Sequence, residues 1–336
     1  MEVRKVQLTG GSSSVITLPK EWIEAHKVKK NDPLGIYSLP DGTLLVTTDI
    51  RGTQVARTKT VDLSDISDSV YLFRVLIGLY IAGYTTITLV GKGFIPAPVR
   101  SVVREFTQMT IGPEVMEETE ETVVLKDLLN PLEMPFDNTI RRMYVVSRDM
   151  HRDAIGVLMG DGGILVDEVC SRDRDVDRLH WLVCRQVNMV FKDPALARKM
   201  AVEPRMVFNA YSIARIIERI GDHAVRIAEN AEKVRREEVS PAIMSGIVSA
   251  SRTALSIFSR SITSYFDRDI GGSHRNIEAV AGLETACEEV AGMVMEEDTK
   301  TAVALTYVVE SIRRTGEYAG DISENVINYL VEEQLT

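Results

Sequence analysis

The sequence predicts a multidomain chain: a small β-rich head, a small α/β middle unit, and an all-α body of two three-helix repeats. Three observations carry that expectation. Over residues 1–48, short stretches of alternating polarity are separated by Gly, Ser, Asn and Pro turns. From Pro135 onward the apolar period becomes helical and stays so. RIGDHAVRIAENA at 219–231 returns as RTGEYAGDISENV at 314–326, a constant step of 95 that pairs Gly221 with Gly316, Asp222 with Glu317 and Asn230 with Asn325. The expected units are 1–50, 55–135, 136–236 and 240–336.

Val3 to Leu8 alternates as a strand, Gly10 to Ser14 turns, and Val15–Leu18 is a second strand ended by Pro19. Proline suits the opening of a short helix, Lys20–His26. Asn31-Asp32-Pro33 leads into Leu34–Leu39, and Asp41-Gly42 is a hairpin signal before Leu44–Thr47. So few elements give one copy a very small core, so a homodimer is expected. In the middle unit, strands are expected at Thr58–Leu63, Thr85–Val90, Val115-Met116 and Val123–Leu125. Helices are expected at Ser67–Ala82, with Val70, Phe73, Ile77 and Tyr80 on one side, and at Pro96–Met109. Gly91-Lys92-Gly93 lacks the spacing of a phosphate-binding loop and is a turn. The body divides into Asn138–Met159, Gly163–Phe191, Pro204–Arg236, Pro241–Phe266, Ser273–Glu296 and Thr299–Glu333, broken at Asp161-Gly162-Gly163, Asp193-Pro194, Ser240-Pro241 and Asp267 to Gly272.

With 336 residues, 45% apolar and 26% charged, the chain can bury ample core. The net charge of −10 is unevenly spread. Residues 1–60 carry 9 Lys/Arg against 6 Asp/Glu, so the acidity lies in the body, which would repel nucleic acid. Any DNA contact is expected on the head. Three cysteines give no disulfide framework, which suits a reducing compartment. Met1–Gly10 has no apolar run, and the longest, Val75–Tyr84, is about half of what a bilayer needs. A cytoplasmic protein with no transmembrane segment is expected.

Tyr211 to Val234 is the most informative stretch. On a helix, Ile213, Ile216, Ile217, Ile220, Ala224, Ile227, Ala231 and Val234 form one apolar stripe, with Glu218, Asp222 and Glu229 opposite. Glu218 and Asp222 are one turn apart and repel, unless Arg215, Arg219 and Arg226 balance them or a cation binds. Asp173 and Asp177 repeat the spacing on the preceding helix, with His180 and Cys184 continuing that face. If the two faces meet, four carboxylates converge and would be strongly self-repelling without a cation. Oxygen ligation suits iron, manganese or magnesium, and His180 tilts the choice toward iron or zinc. In the second repeat Arg313 replaces Glu218 and stands one turn from Glu317. Glu317 and Asp321, with Glu284 and Glu288 facing them, are the weaker candidates.

Two resemblances add to this. GGSSSVITLPKEWIEAHKVKKND with DGTLL resembles the AbrB/SpoVT swapped-hairpin DNA-binding domain over about 45 residues. It implies an intertwined homodimer, with Arg4, Lys5 and Lys20 at positions of phosphate contact; such contacts give salt-dependent affinity and little base specificity. The paired acidic motifs, IERIGDHAVRIAEN and the two repeats resemble the PhoU family from Asp137 to the end. That resemblance implies a regulator of phosphate uptake whose acidic motifs hold surface metal clusters, often iron, with Asp173, Asp177, Glu218 and Asp222 as the first cluster. The expected function is therefore a DNA-binding regulator of phosphate homeostasis. The alternatives are an adaptor docking on a phosphate transporter or sensor kinase without touching DNA, and a carboxylate-bridged metalloenzyme. The last fits poorly, because only Asp177-x-x-His180 approaches the required Glu-x-x-His pattern. With no nucleophile elbow, Cys-x-x-Cys or phosphate-binding loop in the sequence, no catalytic residue is expected.

Overall fold

A computed structural model describes residues 2–334 apart from 12, 39–41, 49, 51–55, 67, 162, 164 and 235–236. The chain divides into two compact units, Met1–Val55 and Ala56–Thr336.

In the first unit, β1 (Gln7–Thr9) and β2 (Ser13–Val15) form one antiparallel hairpin, and β3 (Gly35–Ser38) and β4 (Leu44–Thr47) a second. α1 (Lys20–Ala25) lies between them in sequence, behind Pro19. The first hairpin is shorter than the alternation predicts. Pairing stops at Gln7 with Val15, so among the described residues of one copy Val3–Val6 and Ile16–Leu18 have no ladder partner. Among the described residues of this unit none is buried. Val3, Val6, Leu8, Ile36 and Leu44 are all more than 60% exposed. Asp41 of the expected Asp41-Gly42 turn lies outside the described residues.

The second unit opens with a four-stranded sheet of β5 (Thr58–Asp62), β6 (Thr86–Val90), β7 (Pro113–Glu118) and β8 (Thr122–Asp127), in the order β5-β6-β8-β7. β5 and β6 are parallel and joined through α2 (Ser69–Ile81), while the other pairs are antiparallel. α3 (Ala97–Met109) precedes β7. Residues 119–121 form the β7–β8 turn, where Thr119 Oγ1 accepts from the Glu121 and Thr122 amides. The buried face of α2 is Leu72, Leu76, Ile77 and Tyr80. Val70, expected on that face, is 60% exposed because it sits in the first turn, ahead of the sheet. This layer has its own core, joined by Trp181 from the body.

The body comprises α4 (Phe136–Leu158), α5 (Val166–Lys192), α6 (Pro194–Lys199), α7 (Pro204–Val234), α8 (Pro241–Asp267), α9 (Ile270–Val294) and α10 (Thr299–Gln334). Six are the expected long helices. The short α6 is an addition, started by Pro194 and capped by the Asp193 carboxylate, which accepts from the Ala195 and Leu196 amides. α7 and α10 pack on each other and run through one continuous core shared by both repeats. Of the predicted α7 stripe, all but the half-buried Ile216 are buried.

Among the described residues one helix, α8, is long and apolar enough to cross a membrane by length and composition. Its Ile247, Ala254, Ile257 and Phe258 are fully buried in the bundle core, and 39% of the apolar window is buried.

The sheet layer is tied to the body at the C-terminal end of α2. Arg185 of α5 donates to the Tyr80 carbonyl and pairs with Asp127 at 2.5 Å, with both side chains buried. Lys192 donates to the Ala82 carbonyl at 2.9 Å. Cations at a helix C-terminus satisfy carbonyls that the helix leaves unpaired.

Candidate metal centre

α5 starts with Asp167 and Glu168 in its first turn, where negative charge complements the helix dipole, and then lays Asp173, Asp177, His180 and Cys184 along one side. α7 runs past it and supplies Glu218 and Asp222. The two helices approach closely at Gly221, where an added Cβ would stand 3.2 Å from Asp173 Oδ1 and 3.6 Å from both Ser147 Oγ and Val176 Cγ1. A glycine therefore keeps the space in which the Asp173 carboxylate sits. What the two repeats share is a close approach of the second helix to the third at this glycine, since a Cβ on Gly316 would meet Leu283 of α9.

All four carboxylates titrate above their ordinary range. Burial raises Asp177 most, to about 7, and the charges of Asp173, Glu218 and Asp222 add to the shift against an opposing Arg215. Burial also lifts Asp173, to about 6, aided by Asp222. Glu218 is raised by burial and then by Asp222, and Asp222 by partial burial against Arg215, Arg226 and Arg219. Asp173 and Asp177 of α5 thus lie within electrostatic reach of Glu218 and Asp222 of α7.

Glu218 differs from the sequence expectation of an outward-facing acid. Its side chain is only 12% exposed, because α5 covers the flank of α7 beside the apolar stripe. It bonds Arg215 at 2.8 Å through Oε1, while Oε2 is buried with no hydrogen-bond partner. Asp173 Oδ1 is likewise buried and unpartnered. Buried carboxylate oxygens without donors are costly, and a cation is one remedy. His180 is buried, with Nε2 3.4 Å from Cys184 Sγ and Nδ1 unpartnered. Burial lowers His180 to about 4 and raises Cys184 to about 11, so both are neutral at physiological pH.

The donor set of the first repeat thus fits a cation in composition, with two orphaned buried oxygens and a glycine cradle. Among the described residues, however, no three His, Cys, Asp or Glu side chains stand in ligating geometry, so rotamers would have to close on an ion.

In the second repeat, Glu317 is bonded by both Arg313 and Arg314. Arg313 also forks onto Glu310 with two contacts of 2.9 Å. Glu284 lies within the field of Arg313. Glu288 is exposed on α9. Asp321 is raised by partial burial, then by Glu324 and Glu317, while Arg219 of the first repeat opposes the shift. Sequence reasoning had identified Arg313 but missed Glu310 and Arg314, which complete the network and are visible as acid and base one turn apart.

On the head, Arg4 is bonded to Glu2, and Lys20 pairs with Glu24 at 3.6 Å on α1. Lys5 is exposed.

Residues 140–231 match the model of the PhoU domain, and residues 7–51 that of MazE, the antidote-toxin recognition domain of bacterial antitoxins. No curated protein matches the chain. Among solved structures, the crystal structure of PhoU from Pseudomonas aeruginosa aligns with a TM-score of 0.49 and 17% identity, covering 59% of this chain and 96% of that one. The phosphate transport system regulatory protein PhoU from Streptococcus pneumoniae aligns with a TM-score of 0.40 and 13% identity, covering 59% and 98%.

Proposed function

From a chain that joins a MazE/AbrB-like N-terminal domain to a PhoU domain, we propose a cytoplasmic regulator of phosphate transport that binds DNA through its head and a metal ion through its helical body. The observation that carries the proposal is the coincidence of the PhoU domain match with the four-carboxylate group of α5 and α7. Asp173, Asp177, Glu218 and Asp222 would hold the ion. Iron is the first candidate, and zinc, manganese or magnesium are the alternatives. Bound there, the ion would supply positive charge that relieves carboxylate repulsion, and so couple metal supply to the rigidity of the bundle.

The head acts as a homodimer, since one copy buries none of its described apolar residues. Arg4, Lys5 and Lys20 supply phosphate contacts. Regulation is favoured over catalysis by the PhoU domain match over residues 140–231. A second reading, an adaptor on a transporter or sensor protein, is favoured by one observation: Arg4 and Lys20 already have acidic partners in their own chain.

Transcript profiling of cells lacking the gene, at high and low phosphate, tests the function. Altered expression of phosphate-transport genes is expected, and unchanged transcripts with unchanged uptake would remove the proposal. DNA binding titrated against salt separates the two readings: the regulator binds with an affinity that falls steeply as salt rises, and the adaptor does not bind.

A further inference from the structure

We infer that the second repeat takes no metal, because the guanidinium of Arg313 is already its cation. This rests on the metal reading of the first repeat and concerns a site that resembles it in sequence.

The equivalences come from the two glycines. Gly221 and Gly316 are the same position of the repeat. A Cβ on Gly221 would meet Ser147 and Val176 besides Asp173, and one on Gly316 would meet Ala254 and Leu283. Ser147 and Ala254, like Val176 and Leu283, stand 107 positions apart, against 95 for the glycines. The first repeat is longer between its second and third long helices, where α6 is inserted.

Carried along those steps, Asp173 becomes Val280 and Asp177 becomes Glu284 on α9. On α10, Glu218 becomes Arg313 and Asp222 becomes Glu317. Two of four carboxylates are gone. Val280 lies against α10, where a Cβ on Gly320 would stand 3.1 Å from its Cγ2. Arg215 becomes Glu310, so the Arg215–Glu218 pair of the first repeat is the Glu310–Arg313 pair of the second with its charges exchanged.

The exchange reverses the electrostatics of the site. Arg313 presents five donors in a planar fork, and it engages Glu310 twice and Glu317 once. Arg314 adds contacts of 2.9 and 3.0 Å to the same two acids. Although burial opposes it, these two arginines hold the Glu310 carboxyl below its usual range, the opposite of every acid in the first cluster. A divalent ion entering here would displace ion pairs already made and sit beside two fixed positive charges.

The test is metal content of the purified full chain, stripped with chelator and titrated with Mn(II). Asp177→Asn with Asp222→Asn should abolish binding, and Glu284→Gln with Glu317→Gln should leave it unchanged. Installing the first set in the second repeat (Val280→Asp, Glu310→Arg, Arg313→Glu) on the Asp177→Asn/Asp222→Asn background should restore binding. Metal lost on Glu284→Gln/Glu317→Gln overturns the inference. A wild-type chain that takes up no Mn(II) removes the first-repeat reading alone, and Arg313→Met then decides the second. A fall in melting temperature that millimolar Mn(II) reverses supports Arg313 as the resident cation, and an unchanged melting temperature overturns it.

Discussion

His223 and Tyr318 occupy the same position in the two repeats, and they meet across the α7–α10 interface with ring centroids 5.6 Å apart. Arg219 of the first repeat lies over the Tyr318 ring at 5.8 Å, and Arg314 of the second acts on His223. Equivalent positions of the two repeats therefore face each other at the α7–α10 interface. Close to it, His151 of α4 is fully buried and bridges Ser251 of α8 at 3.0 Å and Thr315 of α10 at 3.4 Å.

Tyr318→Ala should destabilise the body by about 1 kcal/mol beyond its lost buried area, the usual worth of an aromatic pair. His223→Ala should cost a similar amount, and the double variant less than the sum of the two. Urea denaturation of the four proteins of the cycle measures the coupling, and strict additivity would remove it.

His151 sets an acid limit. Burial and then the charge of His223 lower its pKa to about 4, below the ordinary 6.5. The unfolded chain takes up this proton first, so the stability contributed by neutral His151 is complete above pH 6.5 and is lost as pH falls toward 4. His151→Gln should flatten the fall between those values by about 1.4 kcal/mol per pH unit. Stability measured as a function of pH checks the slope.

Asp177 acts with the opposite sign. Its folded pKa of about 7 lies above the ordinary 3.8, so ionisation penalises the fold fully above pH 7 and not at all well below 3.8. In metal-free protein, Asp177→Asn should raise the melting temperature at pH 8 and change it little near pH 3. An equal effect at both values would show that packing, not charge, is responsible.

Arg185 and Asp127 form a buried pair that ties the sheet layer to the body. Arg185→Met should cost about 3–5 kcal/mol, because Asp127 and the Tyr80 carbonyl lose their donor inside the protein. Limited proteolysis should then release the 56–135 layer earlier than in the wild type.

Gly316→Ala should destabilise by about 1–3 kcal/mol through overpacking, since the new methyl would lie 2.0 Å from Leu283 Cδ2. Leu283→Ala in the same chain should recover part of the loss, and calorimetry of the single and double variants measures it.

Much of the fold was legible because its signals are local. The helical period of Ile213 to Val234, the prolines at 194, 204 and 241, and the glycine and asparagine turns depend only on neighbours in the chain. The short strands of the head were overextended, because pairing needs a partner strand that alternation cannot supply. That Asp173 and Asp177 share one helix face, as Glu218 and Asp222 share another, was legible from their spacing, whereas the 12% exposure of Glu218 was not. Burial beside the apolar stripe depends on how α5 crosses α7, which neither helix encodes alone.

The sequence by itself determined the order of the units, the six long helices, the repeat at a step of 95 and the substitution of Arg313 for Glu218. Tertiary structure decided what those residues become: an acid cluster with two unpartnered oxygens in one repeat, and a closed arginine network in the other. The reason is range. Helix period and capping act within a few residues, whereas desolvation and charge coupling arise only when helices far apart in the chain are packed within a few ångströms of each other.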